Sequence, residues 1–354
     1  MKKGSELQKS SSALLIYSGW NIGIRISQGL SSSLEAAHEV ASCTYEYGTE
    51  WGNKIGLLYG STAEDILTRL SIHSKGWRST YCTPDPPAFM GWAPNGGPAA
   101  MTQMKRWASS LLKVPVGKNS PVSAMLFGKL QLRMCMAYVM VLLWAVRSIP
   151  ETMYALLPAS CIITNTHILP KVFDPMVAIP VLLFSTYYLF TLFEYFQVWL
   201  SVRAWLDNQR MQRVTSTCAW SFGLLGVILK LFGISQTVFE VSKKETSDPR
   251  EGDTFRPGKF TFDESPMFIP GTALALVELM ALAMMLLGLG PKAHGNNGSG
   301  VGEVLCAVCT LLSFGVFIRG LFKKKGGIPM LTVLKLAVLT TLFVQLSLLT
   351  SRTS

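Results

Sequence analysis

Four stretches of this chain, 176–200, 267–289, 301–321 and 331–349, are each long and apolar enough to cross a bilayer. A crossing helix needs about 20 mainly apolar residues. Inside hydrocarbon every backbone polar group must find its partner within the chain, so such stretches fold as helices. The polypeptide therefore reads as a membrane α-helical bundle. Its composition excludes the ordinary alternatives. Of 354 residues 49% are apolar and 15% charged, against roughly a quarter charged in a soluble domain. Disorder is excluded as well, because apolar material is ample to offset chain entropy. The net charge of +11, in so apolar a chain, orients loops rather than binding nucleic acid. The seven cysteines are scattered and odd in number, so no disulfide framework is implied.

Charge and breaks set the order of the elements. Residues 1–120 are mixed and polar, and the apolar runs begin after 121. The start of the chain lacks the apolar core of a signal peptide: Lys2 and Lys3 lead into polar residues,. The stretch 134–164 exceeds one crossing and is interrupted by Arg147, Pro150 and Glu151. It reads as one long helix kinked at Pro150, with two helices as the alternative. The stretch 218–234 is short, holds Gly223, Gly226 and Gly233, and carries Lys230 near its end. It suits a helix lying at the water–lipid interface. Five crossings then result, and nearly all Lys and Arg fall on one side, the cytoplasmic one. Asn297-Gly298-Ser299 fits the glycosylation pattern on the opposite side,.

Metal and nucleophile readings fail early. Cys306 and Cys309 form half a zinc pattern inside an apolar span, where packing is the ordinary role of a cysteine. The four histidines share no ligand spacing. Glu278 stands inside an apolar run, which marks it as a functional candidate. The plainer reading is a bundle-facing carboxyl hydrogen-bonded to a neighbouring helix. Three polar elements remain. Ala63-Glu64-Asp65 sets two carboxylates at a helix start,. Gln103-Met104-Lys105-Arg106-Trp107 places an amide, a guanidinium and an indole on one or two helical turns, able to grip a diphosphate and stack on a sugar. Phe239-Glu240-Val241-Ser242-Lys243-Lys244 follows the interfacial segment and offers hydroxyl and ammonium donors. Each alone is satisfied by a cap, an amphipathic helix or a basic loop.

Together, in this order and beside this membrane pattern, the three elements resemble the plant cellulose synthase superfamily, processive glycosyltransferases of family 2. Asp65 matches the Asp of the family's Thr-Glu-Asp motif. Gln103, Arg106 and Trp107 match its Gln-x-x-Arg-Trp motif. Phe239, Val241, Ser242 and Lys244 match its gating loop, with Ser in place of Thr. Ser33-Leu34-Glu35-Ala36-Ala37-His38 and Phe260-Thr261-Phe262-Asp263-Glu264-Ser265-Pro266 look most similar to the cellulose synthase-like B/H branch. The resemblance runs over about 29–350, leaving 1–28 as an atypical segment.

The resemblance implies a UDP-sugar-dependent β-glucan synthase, with UDP-glucose as donor and a β-glucan as acceptor. Asp65 would be the general base. Gln103, Arg106 and Trp107 would hold the acceptor and the departing diphosphate, and Phe239, Ser242 and Lys244 would close over the nucleotide. The membrane would be that of the Golgi, with the plasma membrane as the alternative. The fold expected is a membrane helix bundle carrying a truncated cytoplasmic remnant of a GT-A-type α/β domain over 29–120. The membrane region follows over 121–350, with a gating loop over 235–266. Asp65 is the first aspartate in the sequence, so the family's earlier Asp motifs, and the Mg or Mn they bind, have no ligands here. A C-terminal part of a synthase, inactive alone, is the expectation. The rival is a non-catalytic membrane subunit that associates with complete synthases.

Overall fold

Helix follows helix along this molecule because apolar runs and capping residues alternate. The structure is a computed structural model, and it describes residues 62–80, 97–115, 119–168, 174–234, 260–291, 298–323 and 326–353, with 38, 48, 117 and 170 besides. The first helices are α1 (Glu64–Ser74), α2 (Gly97–Leu111) and α3 (Pro121–Phe127). Next come α4 (Leu132–Leu142), α5 (Ser148–Thr164), α6 (Ala178–Gln197), α7 (Val202–Thr215) and α8 (Ser221–Leu231). The chain closes with α9 (Ile269–Leu286), α10 (Val301–Ser313), α11 (Gly315–Phe322) and α12 (Met330–Thr353). No strand occurs among the described residues, so the part of 29–120 that is described is helical. Two compact units divide the chain: residues 1–80 with 119–135, and residues 81–118 with 136–354.

In the first unit α1 packs against α3. Ser120 caps α3 by accepting the Ser123 amide at 3.1 Å, and Pro121 occupies the first turn, where its missing N–H costs nothing. Gly76, at φ 86°, ends α1. A left-handed residue suits glycine alone at little cost, and its amide reaches the His73 carbonyl at 3.0 Å.

The second unit holds the membrane helices. Among the described residues four helices are long and apolar enough to cross a bilayer, Pro175–Gln197, Val202–Leu231, Pro266–Leu286 and Met330–Thr350. The number rises to six if two bent pairs each count as one span. The expected kink in 134–164 is present, bent by 54°, but it lies ahead of Pro150. A short 3-10 turn, Trp144–Arg147, makes the break. Pro150 falls in the first turn of α5, where no helix hydrogen bond is lost. The stretch 301–321, expected as one span, is bent by 64° between α10 and α11. Phe314 and Phe317 turn inward there and are buried. The stretch 218–234 is the second half of a longer helical run, joined to α7 through a π-helical turn, Ser216–Trp220.

Small residues let these helices approach. Ala155 and Ala159 of α5, Ala275 and Ala281 of α9 and Ala307 of α10 are all buried, as expected where lipid supplies no hydrophobic drive between helices and close packing must. At Gly271 a Cβ would stand 2.3 Å from the Phe317 ring. Phe260, Phe262, Phe268, Phe314 and Phe317 form a chain of ring contacts with centroids 5.1–6.4 Å apart. Each such pair contributes about 0.5–1.5 kcal/mol beyond its buried area.

Candidate active site

Asp65 stands in the first turn of α1, exposed, and its Oδ1 accepts the Ile66 amide at 2.8 Å. Two carboxylates, Glu64 and Asp65, occupy that turn, where the helix dipole favours negative charge. Ala63 is the cap residue, and no side-chain oxygen caps the helix. The inner face of α1 buries Leu70 and His73. The His73 Nε2 lies 3.0 Å from the Ser79 hydroxyl. Burial, and then the charge of Arg69, hold the His73 imidazole below its usual pKa.

Gln103, Arg106 and Trp107 belong to α2, in the other unit. Spacing of three and four residues puts them on one helix face. Trp107 is 45% exposed, while Gln103 and Arg106 are half-buried. The hydroxyls of Ser109 and Ser110 donate to the Arg106 carbonyl at 3.0 and 2.8 Å.

Three contacts fix α2 against the membrane helices. Met101 is buried in the core that includes Phe262, Phe268 and Phe317. At Gly97 a Cβ would lie 2.5 Å from the Thr261 carbonyl oxygen and 2.9 Å from the Phe260 ring. At Gly223 of α8 a Cβ would lie 2.6 Å from Ala108 and 3.0 Å from the Lys105 carbonyl. A bulky residue at any of these points would push α2 off its seat. The motif helix is thus held by the membrane bundle itself.

Phe239, Val241, Ser242 and Lys244 lie outside the described residues, as does Asn297. Among the described residues no group of three or more His, Cys, Asp or Glu is placed to hold a metal ion. The described residues offer no ligand set for the divalent ion. Glu278 faces into the bundle as the plainer reading expects. Its carboxyl is fully buried and interacts with the Ala159 backbone of the neighbouring α5, although neither oxygen meets ordinary hydrogen-bond geometry with a described residue.

Two features escape sequence reasoning. Gly223 counts in the sequence as a mark against a crossing, whereas here it is the contact point between α8 and α2. An isolated glycine in a helical run does signal a close neighbour, but not which one. The second feature is a tie between loops. Asn165 ends α5 in the left-handed conformation, at φ 52°. Its Oδ1 accepts the amide and hydroxyl of Ser299 at 2.9 and 3.1 Å, and its Nδ2 donates to the Pro291 carbonyl at 2.8 Å. Glu303 accepts the Gly300 amide at 2.9 Å and the Ile168 amide at 3.2 Å. A Glu in the third position of a helix was the available signal.

The comparison with known proteins fits this arrangement. The family model described as cellulose synthase matches residues 7–353. The chain is 43% identical to cellulose synthase-like protein B4 of Arabidopsis thaliana over 333 residues, covering 90% of this chain and 44% of that protein. It is 42% identical to cellulose synthase-like protein H2 of Oryza sativa subsp. indica over 332 residues, covering 92% of this chain and 44% of that protein. The chain thus spans less than half the length of these relatives. With a membrane helix bundle and a family match over nearly its whole length, the chain belongs to the cellulose synthase family.

Proposed function

We propose that the chain carries the acceptor side and the membrane path of a glycosyltransferase that builds a β-glucan from a UDP-sugar. The single observation that carries this reading is α2. Its motif face is presented by a helix seated on the membrane bundle at Gly97, Met101 and Gly223. A stacked sugar held there stays in register with helices able to pass a growing chain.

Asp65 takes the proton from the acceptor hydroxyl as that oxygen attacks the anomeric carbon. The proton leaves the hydroxyl for the carboxylate, the new glycosidic bond forms, and the bond to the diphosphate breaks. Arg106 faces the departing negative charge, and Gln103 hydrogen-bonds acceptor or phosphate. Trp107 offers its ring to the terminal sugar. Phe239, Ser242 and Lys244 close over the nucleotide and exclude water. The helical run Val202–Leu231 lies along the cytoplasmic face, where its contact with α2 supports the site. UDP-glucose is the proposed donor and the Golgi membrane the proposed location.

The acceptor role is tested by Trp107→Ala in a chimaera that joins this chain to the N-terminal part of the B4 relative. Loss of stacking raises the KM for added oligosaccharide about tenfold or more, as one stacked ring contributes about 1–3 kcal/mol. An unchanged KM would remove Trp107 from the site.

A further inference from the structure

Ahead of α9, residues 260–265 form no helix and meet two pieces of backbone that are far apart in the sequence. One is Gly97, the first residue of α2. A Cβ there would lie 2.5 Å from the Thr261 carbonyl oxygen and 2.9 Å from the Phe260 ring. The other is Gly320 of α11, where a Cβ would lie 2.6 Å from the Phe262 ring. Both contacts need glycine, since only a residue without Cβ lets a neighbour approach so closely. The Phe262 amide donates to the Gly326 carbonyl at 3.3 Å, and the Ile328 amide to that of Gly320 at 3.1 Å. The turn from α11 to α12 is therefore bonded to the same short segment that abuts α2.

That segment has little freedom of its own. The Phe260 and Phe262 rings meet edge to face with centroids 5.1 Å apart. Phe262 is buried, with Phe268 and Phe317 at 5.1 and 5.2 Å. Met101 of α2 and Ile328 of the turn belong to the same buried cluster. Interiors are close-packed, so a displaced side chain moves its neighbours rather than filling a void. A shift of Phe262 thus reaches Phe260, through the backbone and the ring contact, and Phe260 bears on the start of α2. Chains of packed side chains are the physical route by which one element biases another.

We propose that Phe260 and Phe262 are positioning residues for the acceptor. They carry the position of the α11–α12 turn to α2 and so set where the face of Gln103, Arg106 and Trp107 stands. This rests on the acceptor reading of α2 given above. It gives the last two helices a hold on acceptor binding, although neither carries a motif residue.

A size-compensating cycle in the full chain, reconstituted in nanodiscs, tests the link. Gly320→Ala sets a methyl against the Phe262 ring, and Phe262→Leu withdraws the ring atoms that it meets. Hydrogen exchange reads α2. Gly320→Ala is expected to lower protection of the α2 amides about tenfold in the parent and less than about twofold in the Phe262→Leu background. Unchanged protection of α2 in folded Gly320→Ala, or an equal loss in both backgrounds, would overturn the proposal. If Gly320→Ala does not fold, Phe260→Leu decides: α2 loses protection while the Ile328 amide keeps its own. An unchanged α2 in that variant would overturn the proposal as well. In the chimaera described above, Gly320→Ala raises the KM for added oligosaccharide and leaves that for UDP-glucose, and Phe262→Leu restores it. A rise in both KM values, or no rise where Trp107→Ala gives one, would overturn the positioning role. If Trp107→Ala has no effect, the acceptor reading fails, and hydrogen exchange still decides the link between the turn and α2.

Discussion

Glu278 is a costly side chain in the bundle. A buried carboxyl without a well-formed hydrogen bond forfeits about 1–3 kcal/mol, and the oxygens of Glu278 have only the Ala159 backbone interaction, short of ordinary geometry, among the described residues. Glu278→Met keeps the volume and removes the polar atoms. The variant is expected to melt higher in detergent, by the equivalent of about 1–3 kcal/mol. A lower Tm would mean that the carboxyl is held by a partner and serves the bundle. His73 gives the opposite kind of test. Its pKa is lowered in the folded state from the ordinary 6.5, so the unfolded chain binds the proton more readily. Stability from the neutral ring is complete above pH 6.5 and is lost as pH falls below it,. Hydrogen-exchange protection of α1 should therefore drop below pH 6.5 in the parent and stay level in His73→Gln. A parallel drop in both would remove His73 as the cause.

At the scale of elements, apolar length is a property of sequence alone, and it places the helices α6, α9 and α12 within a few residues. Bends are set by contacts and are not legible in the same way. The break between α10 and α11 exists because Phe314 and Phe317 reach the aromatic core, which no local pattern announces. Pro150 points to a kink near the right place for the wrong reason, since the bend precedes it. The motif face of α2 is legible because Gln103, Arg106 and Trp107 keep helical spacing. Its seat on α8 is not, because that depends on which helix lies opposite Gly223. The helical run Val202–Leu231 is where the two kinds of information meet. By length and composition it is able to cross, whereas the charge of its flanks and its contact with α2 favour the membrane surface. Single cysteines at Val202 and Ile234, both exposed, decide between them. We expect an impermeant thiol reagent to label both from the cytoplasmic face. Labelling from opposite faces would make the run a crossing and withdraw its support of the site.

The molecule as a whole is a family member in which the membrane bundle and the helix of Gln103, Arg106 and Trp107 are coupled by short contacts at Gly97, Met101 and Gly223. Family, membrane character and the motif face are all present in the sequence, because they depend on composition and on spacing. The loop tie of Asn165, Ser299 and Glu303 depends on distant residues meeting, and only the structure supplies it. Asp65 is the proposed base of glycosyl transfer, and its carboxylate is open to a direct test. In the chimaera with the N-terminal part of the B4 relative, sugar incorporation from UDP-glucose is compared for Asp65→Asn and Glu64→Gln. Asn keeps the shape of the side chain but cannot accept the proton, so Asp65→Asn should lower turnover about 10²–10⁴-fold with nucleotide binding intact, while Glu64→Gln stays near the parent. Near-full turnover in Asp65→Asn together with loss in Glu64→Gln would contradict the account and move the base to the neighbouring carboxylate.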